Sequence, residues 1–466
     1  MIYYLTTNAM RTRYVLILLF ILPSFSHASD ADTVRISLAE FLNRGVEASS
    51  ELDAQYQNVE LADNQYRRAR NQRYLPSVEL TTAHGLVPGV KSSDPGQYPD
   101  NQLYLDPDLQ NDWENWGVFT QGEISALQPL ITWGGISSAI EAARAGAEAV
   151  KYKYDTDEQE YRLQLFELYQ SRLLAKELQR LLEEARGTLE RAEDTLEDMR
   201  DDDDVDFDQA DIYQFRIFRQ RFFTQEQEVI RNVEFVENAW QIALGETDSV
   251  YLPEEEFLDP FDVEIHDLDH YRHRASADRP EIRGLDAAQQ AAQAGVEASR
   301  SQRYPTLFFG VQGRAAFTPN RPRQENPFIR NTTNYLSASV GIGFRQNLNF
   351  RTVNLDVERR EAQRRQVEYQ REAAEDGIHF ELSEVFRDVR VAESRVQNTE
   401  EALRISNQWL RDEQIEYDLG FGDIENLVDA VKENLELEVE YRQSVHRYNM
   451  KLAELYRKAG IPLTEL

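Results

Sequence analysis

Arg70-Asn-Gln-Arg-Tyr-Leu-Pro-Ser-Val78 returns 230 residues later as Arg300-Ser-Gln-Arg-Tyr-Pro-Thr-Leu307. Each copy follows an Ala/Gln/Glu-rich helical stretch, residues 37–72 and 280–302. In each copy a proline, Pro76 or Pro305, stops the helix, because proline lacks an N–H and pushes the residue before it toward extended geometry. Two alternating runs around a polar loop come next, and then a long charged helical pair. The chain therefore reads as two copies of one plan. Residues 1–28 precede the copies; the first spans 29–247, a Pro- and acid-rich linker occupies 248–276, and the second spans 277–466.

The alternating runs have period 2. Val78, Leu80 and Thr82 interleave with Glu79 and Thr81, and Val118, Thr120, Gly122, Ile124 and Ala126 with Phe119, Gln121, Glu123 and Ser125. Leu307, Phe309 and Val311, then Leu336, Ala338, Val340 and Ile342, repeat the pattern in the second copy. Each run has about the 9–11 residues of a tilted membrane strand. Residues 88–115 and 318–333 between them are rich in Pro, Asn, Asp and Gly and are expected to be loops. Tyr104, Trp113, Trp116, Phe317, Phe328 and Tyr335 fall near strand ends, where an interfacial girdle would lie. Alternation alone equally fits a small soluble β-subdomain.

The helices carry a 3–4 period. Leu178, Leu181, Ala185, Leu189, Ala192, Leu196 and Met199 form one stripe. Val385, Val389, Ala392, Val396, Thr399, Leu403, Ser406 and Leu410 form a second, and Tyr441, Val445, Tyr448, Leu452 and Leu455 a third. These are coiled-coil seams. No proline interrupts the chain between Pro129 and Pro253 or between Pro327 and Pro462. A helix over 136–199 would be about 95 Å long at ~1.5 Å per residue. Such a rod has no compact core to lean on, so its seams must meet other helices, including those of other subunits.

Composition removes several classes of function. With 51 Lys+Arg against 83 Asp+Glu the formal net charge is -32, which disfavours nucleic acid. No cysteine is present, which excludes disulfides, thiolate metal sites and a lipidated N-terminal Cys. Arg11 and Arg13, the apolar run 14–22, Pro23 and Ser26-His27-Ala28 read as a secretory signal, since the apolar run is too short to span a bilayer. No nucleophile elbow, phosphate loop or metalloprotease helix is present, so neither an enzymatic activity nor a cofactor is expected.

With those motifs in order and duplicated, nearly the whole chain resembles the bacterial outer-membrane efflux protein family, the TolC-like channels. The resemblance also rests on Ala126-Leu-Gln-Pro-Leu-Ile-Thr-Trp-Gly-Gly135, Glu416-Tyr-Asp-Leu-Gly420, Asn426-Leu-Val-Asp-Ala430 and Tyr448-Asn-Met-Lys-Leu-Ala-Glu-Leu-Tyr456. It implies a mainly α fold with a small β part. Long helical hairpins would form a trimeric α-barrel, and four strands per chain would contribute to one shared transmembrane β-barrel. The implied role is a passive exit duct of a tripartite efflux or type I secretion system. Its implied partners are two further copies, a periplasmic adaptor, a proton-driven or ABC-type inner-membrane transporter, and outer-membrane lipid. Drug, metal and protein cargo are not separated by this reading, and a soluble periplasmic coiled-coil scaffold is the competitor from another class.

By position, Asn426 and Asp429 match the family's two pore-constriction sites; Asn426 departs from the acid common there. Gly420 and Gly422 suit the turn before them, and Asp423 and Glu425 add acid to the periplasmic tip. At the first tip six of the eight residues 201–208 are acidic: Asp201, Asp202, Asp203, Asp204, Asp206 and Asp208. No Glu stands twelve along from any of them, which speaks against a calcium loop; a solvated turn and a docking or cation-attracting rim stay open. His266, His270 and His273 have helical spacing in the linker, where packing around the tunnel's waist competes with metal binding.

Overall fold

The structure, a computed structural model, describes residues 33–92, 109–201, 209–246, 250–321, 333–419 and 424–466. In chain order these hold β1 (Thr33–Ile36), α1 (Leu38–Glu47), α2 (Ser50–Tyr74), β2 (Ser77–Ser92), β3 (Leu109–Ile131), α3 (Gly135–Asp201) and α4 (Gln209–Leu244). The second half holds β4 (Val250–Pro253), α5 (Leu268–Asp278), α6 (Pro280–Ser301), β5 (Thr306–Phe317), β6 (Tyr335–Arg345), α7 (Phe350–Asp418) and α8 (Ile424–Ala459). The secretory signal expected over residues 1–28 lies outside the described residues.

The helical stretch expected over 37–72 is two helices rather than one. Ser37 caps α1 by accepting from the Glu40 N–H, and Ser49 opens α2 by accepting from the Leu52 N–H at 3.3 Å. A serine that satisfies the first orphan N–H groups starts a new helix where an alanine would have continued the old one. α2 ends at Tyr74, Leu75 is already extended at ψ 129°, and β2 starts at Ser77, with Pro76 between them. In the second copy Pro305 directly precedes β5.

α3 and α7 have 67 and 69 residues, so each is about 100 Å long. α3 runs alongside α2, α4, α6 and α8, and α7 alongside α6 and α8. Two of the three seams are largely buried: Val385, Val389, Ala392, Val396, Thr399 and Ser406 on α7 and Val445, Tyr448, Leu452 and Leu455 on α8 are buried, with Leu403, Leu410 and Tyr441 half-buried, whereas on α3 Leu189 is buried and Leu178, Leu181 and Ala185 are only half-buried. Thr399 and Ser406 turn their hydroxyls onto carbonyls of their own helix, and Thr399 also meets Ser444 Oγ at 2.9 Å.

Midway along the rods is the main core. Phe41 stacks near Trp240 with ring centroids 4.2 Å apart, Trp240 near Tyr169 at 5.3 Å, and Leu258 and Tyr271 of the linker are buried with them. The linker is thus part of the waist. β4 lies parallel to β1, and Asp267 caps α5 through the His270 N–H. Asn449, buried on α8, fastens it: its amide donates to Gln170 Oε1 at 3.2 Å and to the Asp259 carbonyl at 2.9 Å, and its oxygen accepts the Phe261 N–H at 3.1 Å. A second cluster, Leu182, Leu189, Phe215, Phe222 and Leu435, packs the two hairpins nearer their tips.

β2, β3, β5 and β6 form one antiparallel sheet in that order, with β2 and β6 at its edges. The expectation of a loop over 88–115 needs correcting, whereas residues 318–321 and 333 lie outside the strands as expected. β2 and β3 continue as a paired hairpin to Ser92↔Leu109, well past Pro88. The register shifts between Pro88 and Gly89, and at such a break a proline without an N–H costs no ladder bond. Residues 93–108 and 322–332, with Tyr104 and Phe328, lie outside the described residues. No described helix is long and apolar enough to cross a membrane.

Replacing Asn449 by alanine strands a buried amide, a carbonyl and an N–H at once. We expect Asn449→Ala to lower stability by about 3 kcal/mol, read as a lower thermal midpoint by circular dichroism. An unchanged midpoint would mean that water satisfies these groups.

Candidate functional site

Directly opposed residues in an antiparallel sheet share a face, so the register sorts every strand side chain. One face is apolar: Val78, Ala126, Val311 and Val340 form one cross-strand row, and Leu80, Ile124, Gly313 and Ala338 the next. Phe309 pairs with Ile342 and Leu307 with Phe344 on the same side. These side chains have no cover within the chain; Leu336, Val340 and Phe344 are 82 %, 70 % and 77 % exposed. From Leu307 to Phe317 the strand takes ten steps. At ~3.4 Å each and a tilt of ~45° they rise about 24 Å, close to the ≈ 25 Å apolar band of an outer-membrane barrel.

The other face is polar. Glu79, Ser125, Gln312 and Ser339 form one row, and Thr81, Glu123, Arg314 and Ser337 the next. Arg314 Nε stands 3.2 Å from Glu123 Oε2, and Gln312 donates to the other carboxylate oxygen. Where larger residues face glycines they fill the gap: a Cβ on Gly343 would meet the Phe308 ring at 2.8 Å. One sheet therefore presents a bare apolar surface and a surface of carboxylates, amides, hydroxyls and the guanidiniums of Arg314 and Arg345.

Aromatic residues bracket the apolar face. At one end Trp113 and Trp116 lie 5.9 Å apart, with Trp116 Nε1 donating to the Trp113 carbonyl, and Phe317 ends β5. At the other, Trp133 adopts φ 53°, Gly134 follows at φ 86°, and the Trp133 indole donates to the Pro305 carbonyl at 2.7 Å. Tyr304 lies 5.8 Å from Trp133, and both are exposed. Thr132 Oγ1 then accepts the Ile136 N–H and opens α3.

The repeat is also visible in hydrogen bonds. Gln128 Nε2 donates to the Arg73 carbonyl at 3.1 Å, and Gln346 Nε2 to the Arg303 carbonyl at 3.2 Å. The sequence reading missed these two glutamines. Their signal is the matching spacing in Leu127-Gln-Pro-Leu130 and Arg345-Gln-Asn-Leu348.

At the opposite end of the rods, Asn426 and Asp429 lie in the first two turns of α8 and are exposed. Their neighbours Leu427 and Val428 pack against the lower cluster and Ala430 is buried, so Asn426 and Asp429 point away from the helix–helix seam. Glu425 is exposed at the start of α8. Asp201 closes α3, whereas Asp202, Asp203, Asp204, Asp206, Asp208, Gly420, Gly422 and Asp423 lie outside the described residues. In the linker the His266 and His270 rings are 4.5 Å apart, but no three His, Asp or Glu side chains among the described residues converge on a metal-sized site.

No family model matches the sequence, and no curated protein matches it. Solved structures do. The outer-membrane channel OprN aligns with 91 % of this chain and 90 % of its own at TM-score 0.71 and 16 % identity. The open state of the Neisseria gonorrhoeae MtrE outer membrane channel aligns with 91 % of this chain and 89 % of its own, also at 0.71 and 16 %. The Campylobacter jejuni CmeC outer membrane channel aligns with 98 % of this chain and 94 % of its own at 0.67 and 13 %. At such identities the likeness is one of architecture, and across at least nine-tenths of its length this chain has the fold of an outer-membrane channel subunit.

Proposed function

We propose that the chain is one subunit of a passive, trimeric exit duct that spans the outer membrane and extends into the periplasm. The observation that carries this reading is the four-stranded sheet with an uncovered apolar face, a polar face and two open edges. In lipid an unpaired edge leaves backbone N–H and C=O groups without partners, so the sheet must close. Four strands are too few to close alone. Three copies give twelve, with β6 of one subunit pairing β2 of the next and the apolar face turned to lipid. The polar face, with its Glu123–Arg314 pair, then lines a water-filled lumen. The ~100 Å helices continue that lumen into the periplasm.

As a passive duct the assembly would supply no driving force of its own. Direction and cargo must come from an inner-membrane transporter, proton-driven or ABC-type, joined through a periplasmic adaptor. Asn426 and Asp429 are the proposed constriction at the periplasmic mouth. Threefold symmetry turns Asp429 into three carboxylates around one axis, and such a ring concentrates cations. The Asp201–Asp208 run and Glu425 would add to the acidic rim.

Purified protein is expected to run as a crosslinkable trimer, fractionate with the outer membrane and conduct in planar bilayers. A soluble periplasmic monomer would sink the channel reading and leave the coiled-coil scaffold.

Asp429→Ala, alone or with Asn426→Ala, should raise conductance and weaken divalent-cation block, with trimer yield unchanged because neither side chain packs in a seam. If both properties match wild type, Asp429 is an ordinary helix-start residue.

The absence of cysteine makes single-Cys labelling clean. Lys91→Cys, near the end of the β2–β3 hairpin, should react with a membrane-impermeant maleimide on intact cells. Reaction only after permeabilisation would reverse the topology.

A further inference from the structure

Where strands meet helices the charge of this protein inverts. Residues 67–78, 127–140, 298–309 and 342–355 contain eight arginines and no Asp, Glu or Lys, in a chain whose net charge is -32. Two of the eight are neutralised: Arg67 pairs with Asp63 at 2.6 Å and Arg300 with Glu361 at 2.7 Å. Arg68, Arg70, Arg73, Arg303, Arg345 and Arg351 are exposed and make no ion pair with a described carboxylate. On the rods Arg144, Arg162, Arg172 and Arg371 are ion-paired, while Arg216, Arg221 and Arg411 are exposed without an ion pair to a described carboxylate; what sets this level apart is that six such guanidiniums from three chain segments gather there, which calls for a partner outside the chain.

The arginines alternate with exposed aromatics. Arg73 adjoins Tyr74, Arg303 adjoins Tyr304, and Phe350 adjoins Arg351; Tyr74, Tyr304 and Phe350 are all exposed. The Arg73 guanidinium lies 5.9 Å from the centre of the Tyr74 ring. Arg345 differs, because it turns onto Phe308 at 5.5 Å on the polar face of the sheet. An aromatic ring with an arginine beside it suits one environment: the ring lies at the boundary of the acyl chains, and the guanidinium reaches into the layer of headgroup phosphates. Arginine fits a phosphodiester better than lysine does, since its planar fork donates two parallel hydrogen bonds.

We propose that Arg73, Arg303 and Arg351, with Arg68 and Arg70 beside them, form a collar that binds the headgroups of anionic glycerophospholipids in the leaflet facing the periplasm. The inference rests on the membrane-spanning reading of the sheet and adds a ligand class to it. Charge complementarity selects the occupant. An anionic leaflet repels the acidic rods, and at the foot of the sheet three chain segments without an Asp, Glu or Lys of their own bring exposed arginines to its level. In a trimer the collar repeats three times around the barrel, so lipid held there bridges neighbouring subunits.

The test uses the full mature oligomer in vesicles of phosphatidylcholine alone or with phosphatidylglycerol, at low and high salt. The readouts are the thermal midpoint of oligomer dissociation and the lipid retained on extraction. Phosphatidylglycerol should raise the midpoint by several degrees at low salt and less at about 0.5 M salt, where screening is strong. In the R73Q/R303Q/R351Q variant at least half of that shift should disappear, and the lysine versions of the same sites should restore part of it. Single Arg351→Gln keeps the test open if the triple variant fails to assemble, and should lose part of the shift. Equal midpoints with and without phosphatidylglycerol, or a full response in the glutamine variants, would overturn the collar. So would inorganic phosphate reproducing the shift, since the site would then read a free anion. Conductance measured on the same vesicles separates the two readings: a conducting oligomer without lipid preference defeats only the collar.

Discussion

Two strand edges without partners govern the design of this protein. β2 and β6 each present a row of N–H and C=O groups, and the sheet between them is bare on its apolar face. In water that face would aggregate, and in lipid those edges would be left without hydrogen bonds; lipid against the face and edge pairing with other copies would together remove both costs. The rods obey the same logic. A helix of 67 or 69 residues cannot bury its seams within one small core, so α3 and α7 lean on shorter helices in sequence and leave further apolar residues, such as Phe235, Ile242 and Phe380, on the outside of the chain.

The waist is where the chain behaves like a globular protein. Several of the polar groups buried there are closely paired. Arg279, buried beside Glu281 and Glu381, is bonded to Glu281 at 2.7 Å, and Lys458 reaches Glu381 at 2.9 Å. Burial alone would raise the Glu281 carboxyl, but the hydrogen bonds and charge of Arg279 outweigh it and hold the group below its usual range. A carboxyl held low contributes stability above its unfolded pKa and loses it as pH falls through the folded one. The waist therefore loses this contribution on acidification, and the linker is bound into it by Asn449, Tyr271 and Leu258. Below it, Glu177 on α3 is bonded to Arg442 on α8, an ion pair that ties the first helical hairpin to the second.

The junction between rod and sheet has its own local rules. Trp133 and Gly134 adopt positive φ so that β3 can turn into α3, and the glutamines Gln128 and Gln346 tie each copy's strand exit to the carbonyl of the arginine that ends its helix. The duplicated Arg-Tyr motif thus does the same mechanical work twice, and its arginine side chains are left free for the surroundings.

Much of this was legible in the sequence. Seam residues such as Val389, Val445 and Leu452 were legible because a 3–4 spacing has one meaning on a long proline-free helix, and the duplication was legible because its Pro-terminated motif repeats almost letter for letter. Alternation gave each strand two faces but could not assign them, since parity is local and pairing is not. Only the register brought Glu123 against Arg314, 191 residues away in the chain, and gathered Val78, Ala126, Val311 and Val340 into one row. Composition misled at Pro88, Gly89 and Asn111, turn residues that sit in a paired hairpin because a register break removes the need for the proline N–H. Likewise Asn449 looks like any polar residue on a helix. Its three hydrogen bonds reach Gln170 and the linker, and only the folded chain brings those groups together.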